Sequence, residues 1–437
     1  MKRKVFTLLM ISVLVLASCS KEEAVFMEAQ PTTNKDDYAA YDYSSHTDSR
    51  ESVYKTVLAD LSSINKGKLV IAKKELPGGF SWRKFQGFEN KDDVFGYDVR
   101  GCNISDVDLS VVEDTDDLTF DTNTTWPDVL PGGFDPQKIL EINKNPGLGI
   151  RALHKKGITG KGVSIAIIDQ GLLLEHEQYK KNLKLYETIH CGDDTAQMHG
   201  PAVASIAVGK DIGVAPKANL YYIASTFGHF TDSGYEFDAS IIADAVFRIL
   251  DINEKLDKDK KIRAISISKG YSRMDKGYDE LQAAIKKADE ANVFVVTTST
   301  DEYYKGFILF GMDRDYAKDP EDPNSYEPVS WVAKDYYDRP DYFENFLMFP
   351  IGSRTFASFT NSDDYAISHN GGLSWSVPWC VGLYALCCQE KPDITPQEFI
   401  ELANSTAITT EIEHDGKTYP FGKMINPEKL MEQLKDK

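Results

Sequence analysis

Apolar runs typical of buried strands alternate with amphipathic helical patterns after about residue 145. The run VSIAIID is rich in β-branched residues, as strands buried in a parallel sheet are, and three later runs share this character: NLYYIAS, IRAISIS and NVFVVTTST. Helical patterns lie between them at AVASIAVG, SIIADAVFRILDINEKL and YDELQAAIKKADEA. The alternation predicts an α/β fold with a doubly wound, mostly parallel sheet and helices on both faces. The functional site of such a fold lies at the carboxyl ends of its strands.

The stretch NGGLSWSVPWCVG, residues 370–382, predicts the start of a buried helix. Pro378 lacks an N–H and fits only in the first helical turn, so the helix should begin near Ser374 or Trp375. The residues that follow are almost all apolar, which is typical of a helix buried on every side. Ser374 would then lie at the positive end of the helix dipole, where free N–H groups stabilise an oxyanion. The alternative is that Ser374 only caps the helix, and Ser376 is the weaker nucleophile candidate.

The N-terminus has the parts of an export signal. MKRK is basic, the apolar run VFTLLMISVLVLAS is too short to span a bilayer comfortably, and LASC ends at Cys19. This pattern resembles a bacterial lipoprotein signal peptide, in which residues 1–18 are removed and Cys19 carries acyl chains. We therefore expect an extracytoplasmic protein anchored to the bacterial cell envelope by lipid, and SKEE after the cysteine resembles a surface-export tag. An ordinary secretory signal with a chance cysteine is the alternative.

The remaining chain divides into three parts by composition. Residues 19–50 lack apolar periodicity and are interpreted as a flexible tether. Residues 51–140 are interpreted as an N-terminal extension, either a propeptide or an accessory module, in which ESVYKTVLADLSSINK predicts a helix and KLVIAKK a strand. Residues 145–437 carry the alternating strands and helices. Lipidation at Cys19 favours retention of the extension, since its removal would release the main domain from the membrane.

The acidic composition restricts the partners. Lys and Arg total 49 against 68 Asp and Glu, so the net charge of -19 would repel a nucleic-acid backbone. Five cysteines remain beyond Cys19, an odd number without the spacing of a disulfide framework. Three of them, Cys380, Cys387 and Cys388, fall on the apolar helix and are expected to fill space in the core. No sequence feature predicts an oligomeric state.

Three polar residues stand where this architecture exposes a site. Asp169 ends the strand SIAIID, His199 opens the small-residue helix HGPAVASIAVG, and Ser374 opens the buried helix. Acyl transfer needs these three types together, because an imidazole must take the proton of the serine hydroxyl and a carboxylate must hold the imidazole in the right tautomer. The order Asp, His, Ser is that of subtilisin, whereas α/β-hydrolases run Ser, Asp, His. An α/β-hydrolase would have to rely on His414, the single histidine after Ser374.

Four segments in order resemble the subtilisin-like serine peptidases, or subtilases, and together cover residues 145–434. They are GKGVSIAIIDQGLLLEHEQY, MHGPAVASIAVGKDIGVAPKANLYYI, GGLSWSVPWCVGLYALCCQEKPDITPQEFIELANSTA and GKMINPEKL. The resemblance implies a serine endopeptidase that hydrolyses polypeptides through an acyl-enzyme. Asp169 would orient His199, and His199 would act as general base and then as general acid. Ser374 would attack the scissile carbonyl.

The resemblance also bears on the substrate contacts. ISISKG resembles the strand that binds substrate backbone in an extended mode, which implies contacts at Ser268, Lys269 and Gly270; a plain strand end is the alternative. Two motifs depart from the family, which usually has HGTH and GTSMA where this chain has HGPA and GLSWS. The three candidate residues survive both changes. Trp375 would narrow the space around the leaving group, so the change concerns substrate fit rather than proton transfer.

Asp301 is the most serious departure, because it stands where the family has an asparagine that donates to the oxyanion. An ionised carboxylate only accepts hydrogen bonds, and loss of one such donor costs on the order of 100- to 1,000-fold in turnover. Two alternatives would restore a donor. Burial would raise the pKa of Asp301 until the acid is protonated and donates, or the hydroxyl of Tyr303 or Tyr304 would reach the oxyanion.

The acidic segment 305–354 predicts loops over the site, and its carboxylates are candidate ligands for a structural Ca2+, a common stabiliser in the family. It lacks the spacing of an EF-hand, however, and a solvated acidic loop is the preferred interpretation. His190, Cys191 and His199 suggest a metal site, but no CxxC or HExxH spacing supports one. We therefore expect no metal and no cofactor in the chemistry.

The leading interpretation is a lipid-anchored, extracytoplasmic serine endopeptidase. A catalytically impaired subtilase-fold lipoprotein that binds peptides or proteins is the alternative, because of Asp301 and the altered serine motif. A scaffold or adhesin that works through residues 51–140 is a third. The presence of Asp169, His199 and Ser374 together favours the enzyme.

Overall fold

The computed structural model describes residues 54–72, 78, 80–89, 91, 96–192, 195–231 and 234–436. The predicted signal peptide, Cys19 and the tether 19–50 lie outside these described residues. No helix within the described ranges is both long and apolar enough to cross a lipid bilayer.

The described residues form eighteen strands. They are β1 Lys55–Val57, β2 Val70–Ile71, β3 Tyr97–Asp98, β4 Leu118–Asp121, β5 Ser164–Asp169, β6 Leu183–Cys191, β7 Asn219–Ala224, β8 Gly228–Thr231, β9 Gly234–Phe237, β10 Ile262–Ile267, β11 Phe294–Thr297, β12 Ile308–Asp313, β13 Glu327–Pro328, β14 Phe346–Pro350, β15 Arg354–Ala357, β16 Tyr365–Ser368, β17 Ile408–His414 and β18 Lys417–Met424.

Ten α-helices lie in the same described ranges. They are α1 Pro136–Ile142, α2 Ile150–Lys155, α3 His199–Val208, α4 Ala239–Lys255, α5 Tyr278–Glu290, α6 Ala333–Asp338, α7 Pro340–Phe343, α8 Ser376–Glu390, α9 Pro396–Thr406 and α10 Pro427–Asp436. Three 3₁₀ turns are also relevant below: Leu61–Lys66 in the N-terminal part, and Thr300–Glu302 and Leu373–Trp375 at the site.

The main sheet has the strand order β1-β6-β7-β5-β10-β11, and β2 also pairs with β6. The five strands from β6 to β11 in this order run parallel. The strand β5 at its centre is fully buried along its length, as a β-branched strand covered by helices on both faces should be. The strands and helices predicted after residue 145 are confirmed, and so is the α/β fold class.

A second sheet has five strands in the order β13-β12-β14-β18-β17, and β12, β13 and β14 lie in the region where loops were predicted. The strand β14 pairs in parallel with β12 on one side and with β18 on the other. The prediction that residues 305–354 form loops over the site is therefore wrong. Its apolar runs ILFGMD and FLMFP are buried strands, which the acidic and proline-rich sequence between them obscures.

The described residues of 54–140, called the N-terminal segment below, contribute strands to both the main sheet and a third, four-stranded sheet. The strand β1 pairs antiparallel with β6 in the main sheet, and β4 pairs with β16 in the order β15-β16-β4-β3. The helix predicted for ESVYKTVLADLSSINK is wrong within the described part of that run. A short strand and the 3₁₀ turn Leu61–Lys66 are present instead, because pairing with the edge of β6 competes with local helix formation.

The helix α8 lies in the main hydrophobic core, and every residue from Ser376 to Cys388 is buried. It packs against β10 and against α3. Pro378 lies in its first turn, and the 3₁₀ turn Leu373–Trp375 leads into it. The predicted buried helix is confirmed.

Candidate active site

Asp169 is the last residue of β5 and is placed at the carboxyl edge of the main sheet, between β7 and β10. Its side chain is fully buried. One carboxylate oxygen, Oδ1, accepts a hydrogen bond from the backbone N–H of Gln170 at 2.8 Å. The same oxygen lies 2.7 Å from Nδ1 of His199. The carboxylate is therefore held by the backbone and aimed at the imidazole.

His199 is the first residue of α3, and close packing of this helix brings it to Asp169. A Cβ at Gly200 would lie 2.6 Å from the Tyr222 hydroxyl oxygen and 2.7 Å from the Gln170 carbonyl oxygen. Only glycine fits there, so the start of α3 lies directly on the loop that follows β5. The side chain of His199 remains 22% exposed, which leaves part of the imidazole open to a ligand.

The pKa of His199 is raised above its ordinary value. Burial by itself lowers this pKa, but the charge of Asp169 and the hydrogen bond that Asp169 accepts outweigh the burial. A carboxylate that stabilises the imidazolium makes the neutral imidazole a stronger base. The pair Asp169 and His199 therefore has the electrostatics of an oriented general base.

Ser374 lies in the 3₁₀ turn Leu373–Trp375 and does not cap α8. The N-terminus of α8 has no hydrogen bond from a side-chain cap. The Ser374 hydroxyl instead donates to the Ser268 carbonyl oxygen over 3.4 Å. Ser376 is buried and donates to the Leu373 carbonyl oxygen at 2.7 Å, so its hydroxyl is already engaged. Of the two serines, the geometry favours Ser374 as the reactive group.

Trp375 connects the serine turn to the histidine. Its ring stacks on the His199 imidazole with a centroid separation of 5.3 Å and an interplanar angle of 27°. Among the described residues, no hydrogen bond joins Ser374 to His199. Such bonds are often long before substrate binds. Because Trp375 follows Ser374 in the chain and stacks on His199, the serine turn lies against the histidine. Apart from the bulk of Trp375, no local pattern in the sequence predicts this contact.

The predicted substrate segment follows β10 directly. The Ser268 hydroxyl donates to the Ser374 carbonyl oxygen at 2.7 Å. The backbone N–H of Lys269 donates to the Ile267 carbonyl at 2.7 Å, and the ammonium group of Lys269 lies 4.7 Å from the centre of the Phe237 ring. A Cβ at Gly270 would lie 2.9 Å from the Thr298 hydroxyl oxygen. The segment is thus fixed next to Ser374.

Asp301 lies in the 3₁₀ turn after β11, as a half-buried residue. Burial, followed by the charge of Glu302, raises the pKa of its carboxyl group. The hydroxyls of Tyr303 and Tyr304 both donate to Asp289 on α5, over 3.4 Å and 3.1 Å. Both tyrosine hydroxyls are therefore already bonded to Asp289, which leaves Asp301 as the remaining candidate for the oxyanion contact.

The candidate metal ligands do not assemble into a site. His190 stacks on Tyr54 with ring centres 4.4 Å apart, and Cys191 is buried in the core. In the part of the chain that the structure describes, no three His, Cys, Asp or Glu side chains are grouped to hold a metal ion. Within 305–354, Asp322 accepts a hydrogen bond from the backbone N–H of Asn324 and caps the 3₁₀ turn Pro323–Ser325.

A family model agrees with this geometry. The model of Peptidase_S8, the subtilase family, matches residues 160–423, which are more than half of the 437 residues. The chain belongs to the subtilase family. The resemblance predicted from the four sequence segments is confirmed. The family match includes Asp169, His199 and Ser374, and it ends within β18, so this subtilase carries 159 residues before the matched region.

Curated relatives of this subtilase are distant. A subtilisin-like protease of Coccidioides posadasii is 23% identical over 354 residues, which cover 74% of this chain and 66% of the relative. Alkaline protease 2 of Aspergillus fumigatus is 23% identical over 380 residues, which cover 80% and 73%. The match thus spans about two thirds to three quarters of the length of these relatives. Among solved structures, the prenylagaramide maturation protease is 15% identical with a TM-score of 0.45, covering 65% of this chain and 98% of that one.

Proposed function

We propose that this subtilase is a serine endopeptidase that hydrolyses polypeptides through an Asp169, His199 and Ser374 triad. The observation that carries the proposal is the 2.7 Å contact between His199 Nδ1 and the buried Asp169 carboxylate. Membership of a serine peptidase family supports it. A buried carboxylate that fixes one imidazole nitrogen leaves the other nitrogen to accept a proton.

The chemistry proceeds in two halves. Ser374 Oγ transfers its proton to Nε2 of His199 and attacks the scissile carbonyl carbon, which gives a tetrahedral oxyanion. The protonated His199 then gives that proton to the leaving amine, the C–N bond breaks, and an acyl group remains on Ser374. Water attacks the ester by the same route, with His199 as its base, and releases the acid and the free serine. Asp169 holds the imidazole throughout and stabilises its positive charge.

The oxyanion is stabilised by two groups in this proposal. The first-turn N–H groups of α8 carry the positive end of the helix dipole and receive no side-chain cap. Asp301 donates a second hydrogen bond in its protonated form, and its raised pKa supports this role. The same residue favours the alternative function, because an ionised Asp301 would repel the oxyanion and leave a subtilase fold that binds peptides without efficient turnover.

We further propose that lipid on Cys19 anchors the protein outside the cytoplasm. This localisation is supported by the N-terminal sequence, in which basic MKRK is followed by an apolar run that ends in LASC. A Cys19→Ala variant should move from the membrane fraction to the soluble fraction after cell breakage. Wild-type protein recovered from membranes should have an acylated residue 19 as its first residue. A first residue near 145 would show instead that the N-terminal segment is a propeptide.

Cleavage of an unfolded protein tests the proposed activity. Purified residues 20–437 are incubated with reduced, carboxymethylated casein, and the new termini are sequenced by mass spectrometry. We expect internal cleavages that are absent with Ser374→Ala and retained with Ser376→Ala. Identical fragment patterns for the wild type and Ser374→Ala would refute a peptidase that uses Ser374.

A further inference from the structure

A cavity of about 320 Å³ lies beside the candidate active site, between the N-terminal segment and the turn that joins β15 to β16. One wall comes from the N-terminal segment and includes Phe80 and Arg83. The opposite wall comes from Phe356 and Phe359, and Met198 completes the lining next to the helix α3. For comparison, a dry cavity of about 150 Å³ is large enough for a benzene ring.

Two residues connect this cavity to the proposed catalytic groups. Met198 immediately precedes His199 in the chain. Phe356 packs on Trp375 with ring centres 5.3 Å apart, and Trp375 stacks on His199 at the same separation. The cavity thus begins one ring away from the imidazole. An extended chain rises about 3.3 Å per residue, so a side chain within two residues of the cleaved bond reaches it.

The cavity lies away from the segment 268–270, which is predicted to bind the substrate backbone. Within the described residues, its lining includes nothing from 268–270, and α8 packs against both β10 and α3. His199 must deliver its proton to the leaving amine. The cavity next to Met198 and Trp375 is therefore positioned for the leaving-group side of the bond.

The chemistry of the lining favours an aromatic occupant. Three phenylalanine rings and the Met198 thioether surround the space, and rings and sulfur atoms pack well against another ring. Arg83 and Arg100 line the polar side, and both pair with Asp98 at 2.7 Å and 2.8 Å. Paired guanidinium groups still stack on aromatic faces.

The N-terminal wall is fixed to the rest of the fold by backbone contacts. A Cβ at Gly78 would lie 2.7 Å from the Thr360 carbonyl oxygen, so the chain there lies directly against the turn between β15 and β16. The backbone N–H of Arg83 donates to the Gly101 carbonyl at 2.8 Å. Next to Phe80, Trp82 packs its ring at 5.1 Å from that of Phe80 and remains 60% exposed. An exposed tryptophan at the edge of an apolar cavity is typical of a binding surface.

We infer that the N-terminal segment forms a specificity pocket for an aromatic side chain at one of the two substrate residues that follow the cleaved bond. The inference rests on the proposed peptidase function and assigns a part in substrate choice to residues 80–83 and 98–101. Removal of this segment as a propeptide would destroy the pocket. The enzyme would thus select its substrates through a wall that lies outside the region matched by the family model.

Peptide pairs test the pocket in the chain that lacks only its signal peptide. Three internally quenched peptides share one cleavage site and carry Ala-Ala, Phe-Ala or Ala-Phe after it. For the wild type, kcat/KM for the better phenylalanine peptide should exceed that for Ala-Ala by about 10- to 100-fold, as expected for burial of one phenylalanine side chain. Phe80→Ala should reduce this ratio to within about threefold of one. The ratio of the two kcat/KM values is compared because a loss of folded enzyme lowers both values equally.

Two further variants control the experiment. Phe88→Ala removes a ring from the same segment, where it contacts Phe85 and Tyr97 rather than the cavity, and should keep the wild-type ratio. Ser81→Trp fills the cavity from an exposed lining position and should abolish the preference without removing any core group. A wild-type ratio near one, or a preference that persists in both Phe80→Ala and Ser81→Trp, would overturn the pocket.

Binding to Ser374→Ala separates the pocket from the catalytic proposal. The same three sequences, carrying a fluorophore and no quencher, are titrated by anisotropy with Ser374→Ala and with the double variant Ser374→Ala, Phe80→Ala. Tighter binding of a phenylalanine peptide that is lost in the double variant supports the pocket, even if the wild type cleaves no peptide and the peptidase proposal fails. Equal Kd values for the phenylalanine and Ala-Ala peptides with Ser374→Ala would refute the pocket alone.

Discussion

The hydroxyl of Ser268 donates to the carbonyl oxygen of Ser374 at 2.7 Å, while the Ser374 hydroxyl points back at the Ser268 carbonyl over 3.4 Å. Two hydrogen bonds thus join the residue after β10 to the turn before α8. This pairing fixes the backbone of the proposed nucleophile, which belongs to a turn of only three residues. The position of Ser374 depends on a neighbour that is 106 residues earlier in the chain.

Ser268→Ala should lower kcat, whatever its effect on KM as a predicted substrate contact. The half-buried Ser374 carbonyl loses its donor, so the turn that carries the nucleophile is held less firmly. A misplacement of about 1 Å costs on the order of 100-fold in rate, so we expect kcat to fall by up to about 100-fold. The measurement is kcat and KM on a fluorescent peptide, with urea unfolding of the same protein. Ser405→Ala is the control, because its hydroxyl bonds to the Leu402 carbonyl within α9, away from the site. An unchanged kcat in Ser268→Ala would contradict this positioning role.

The pH dependence of kcat/KM should report the Asp169 and His199 pair. His199 must be neutral to accept the proton, and its pKa is raised above 6.5 by Asp169. Activity should therefore rise with pH through an apparent pKa above 6.5. Asp169→Asn removes the charge that raises the pKa of His199, so the acid limb of the residual activity should move to lower pH. Turnover should fall by about 10⁴-fold. An acid limb that does not move in Asp169→Asn would show that another group titrates.

Ionisation of Asp301, the proposed oxyanion donor, should give kcat a limb that falls with rising pH, called the alkaline limb. A raised pKa keeps the carboxyl group neutral, as a donor, above the pH at which an ordinary aspartate ionises. As the pH rises through that pKa the donor is lost, so kcat should fall. Asp301→Asn donates at every pH and should remove this limb, whereas Asp301→Ala should lower kcat by on the order of 100- to 1,000-fold.

The tyrosines serve as controls for the Asp301 variants. Tyr303→Phe and Tyr304→Phe should leave the alkaline limb in place, because both hydroxyls bond to Asp289. Wild-type turnover in Asp301→Ala would refute the role of Asp301 as a donor. An alkaline limb that disappears in Tyr303→Phe would assign the oxyanion contact to that tyrosine.

A buried ion pair fastens the N-terminal segment to the main sheet. Arg248 on α4 bonds to Glu187 on β6 at 2.8 Å, the Ala59 N–H donates to Glu187 at 2.8 Å, and Arg248 donates to the Ala59 carbonyl at 3.0 Å. Removing one charge of a buried pair costs about 3–5 kcal/mol. Glu187→Gln should therefore lower the free energy of unfolding by that amount and expose residues 54–72 to proteolysis.

Urea denaturation and limited trypsin digestion measure these two effects of Glu187→Gln. The exposed pair of Lys286 and Glu290 provides a control, since Glu290→Gln should change stability by less than about 1 kcal/mol. Equal stability of Glu187→Gln and Glu290→Gln would show that the N-terminal segment is held by other contacts.

The sequence predicted the elements whose signal is local and missed those that depend on distant partners. The strand β5 is a run of six buried residues, many of them β-branched, and this local composition is enough to predict a buried strand. The strands β1 and β3, of two or three residues each, are too short for any periodicity to show. They exist because β6 and β4 offer them an edge.

The candidate site shows the same division. The pairing of Asp169 with His199 was predicted because the ends of parallel strands and the helices that follow them meet at one edge of the sheet. The bonds from Tyr303 and Tyr304 to Asp289 were not foreseen, because they join a turn to a helix that precedes it in the chain. The stack of Trp375 on His199 likewise depends on the packing of α3 against α8.

Labelling with a fluorophosphonate serine probe tests the central claim most directly. Purified residues 20–437 are treated with the probe beside Ser374→Ala, Ser376→Ala and His199→Ala, each checked for folding by circular dichroism. An activated Ser374 predicts labelling of the wild type and of Ser376→Ala, and its loss in Ser374→Ala and His199→Ala. Absence of label from folded wild-type protein, with or without Ca2+ and after limited proteolysis, would contradict the triad and favour a binding protein.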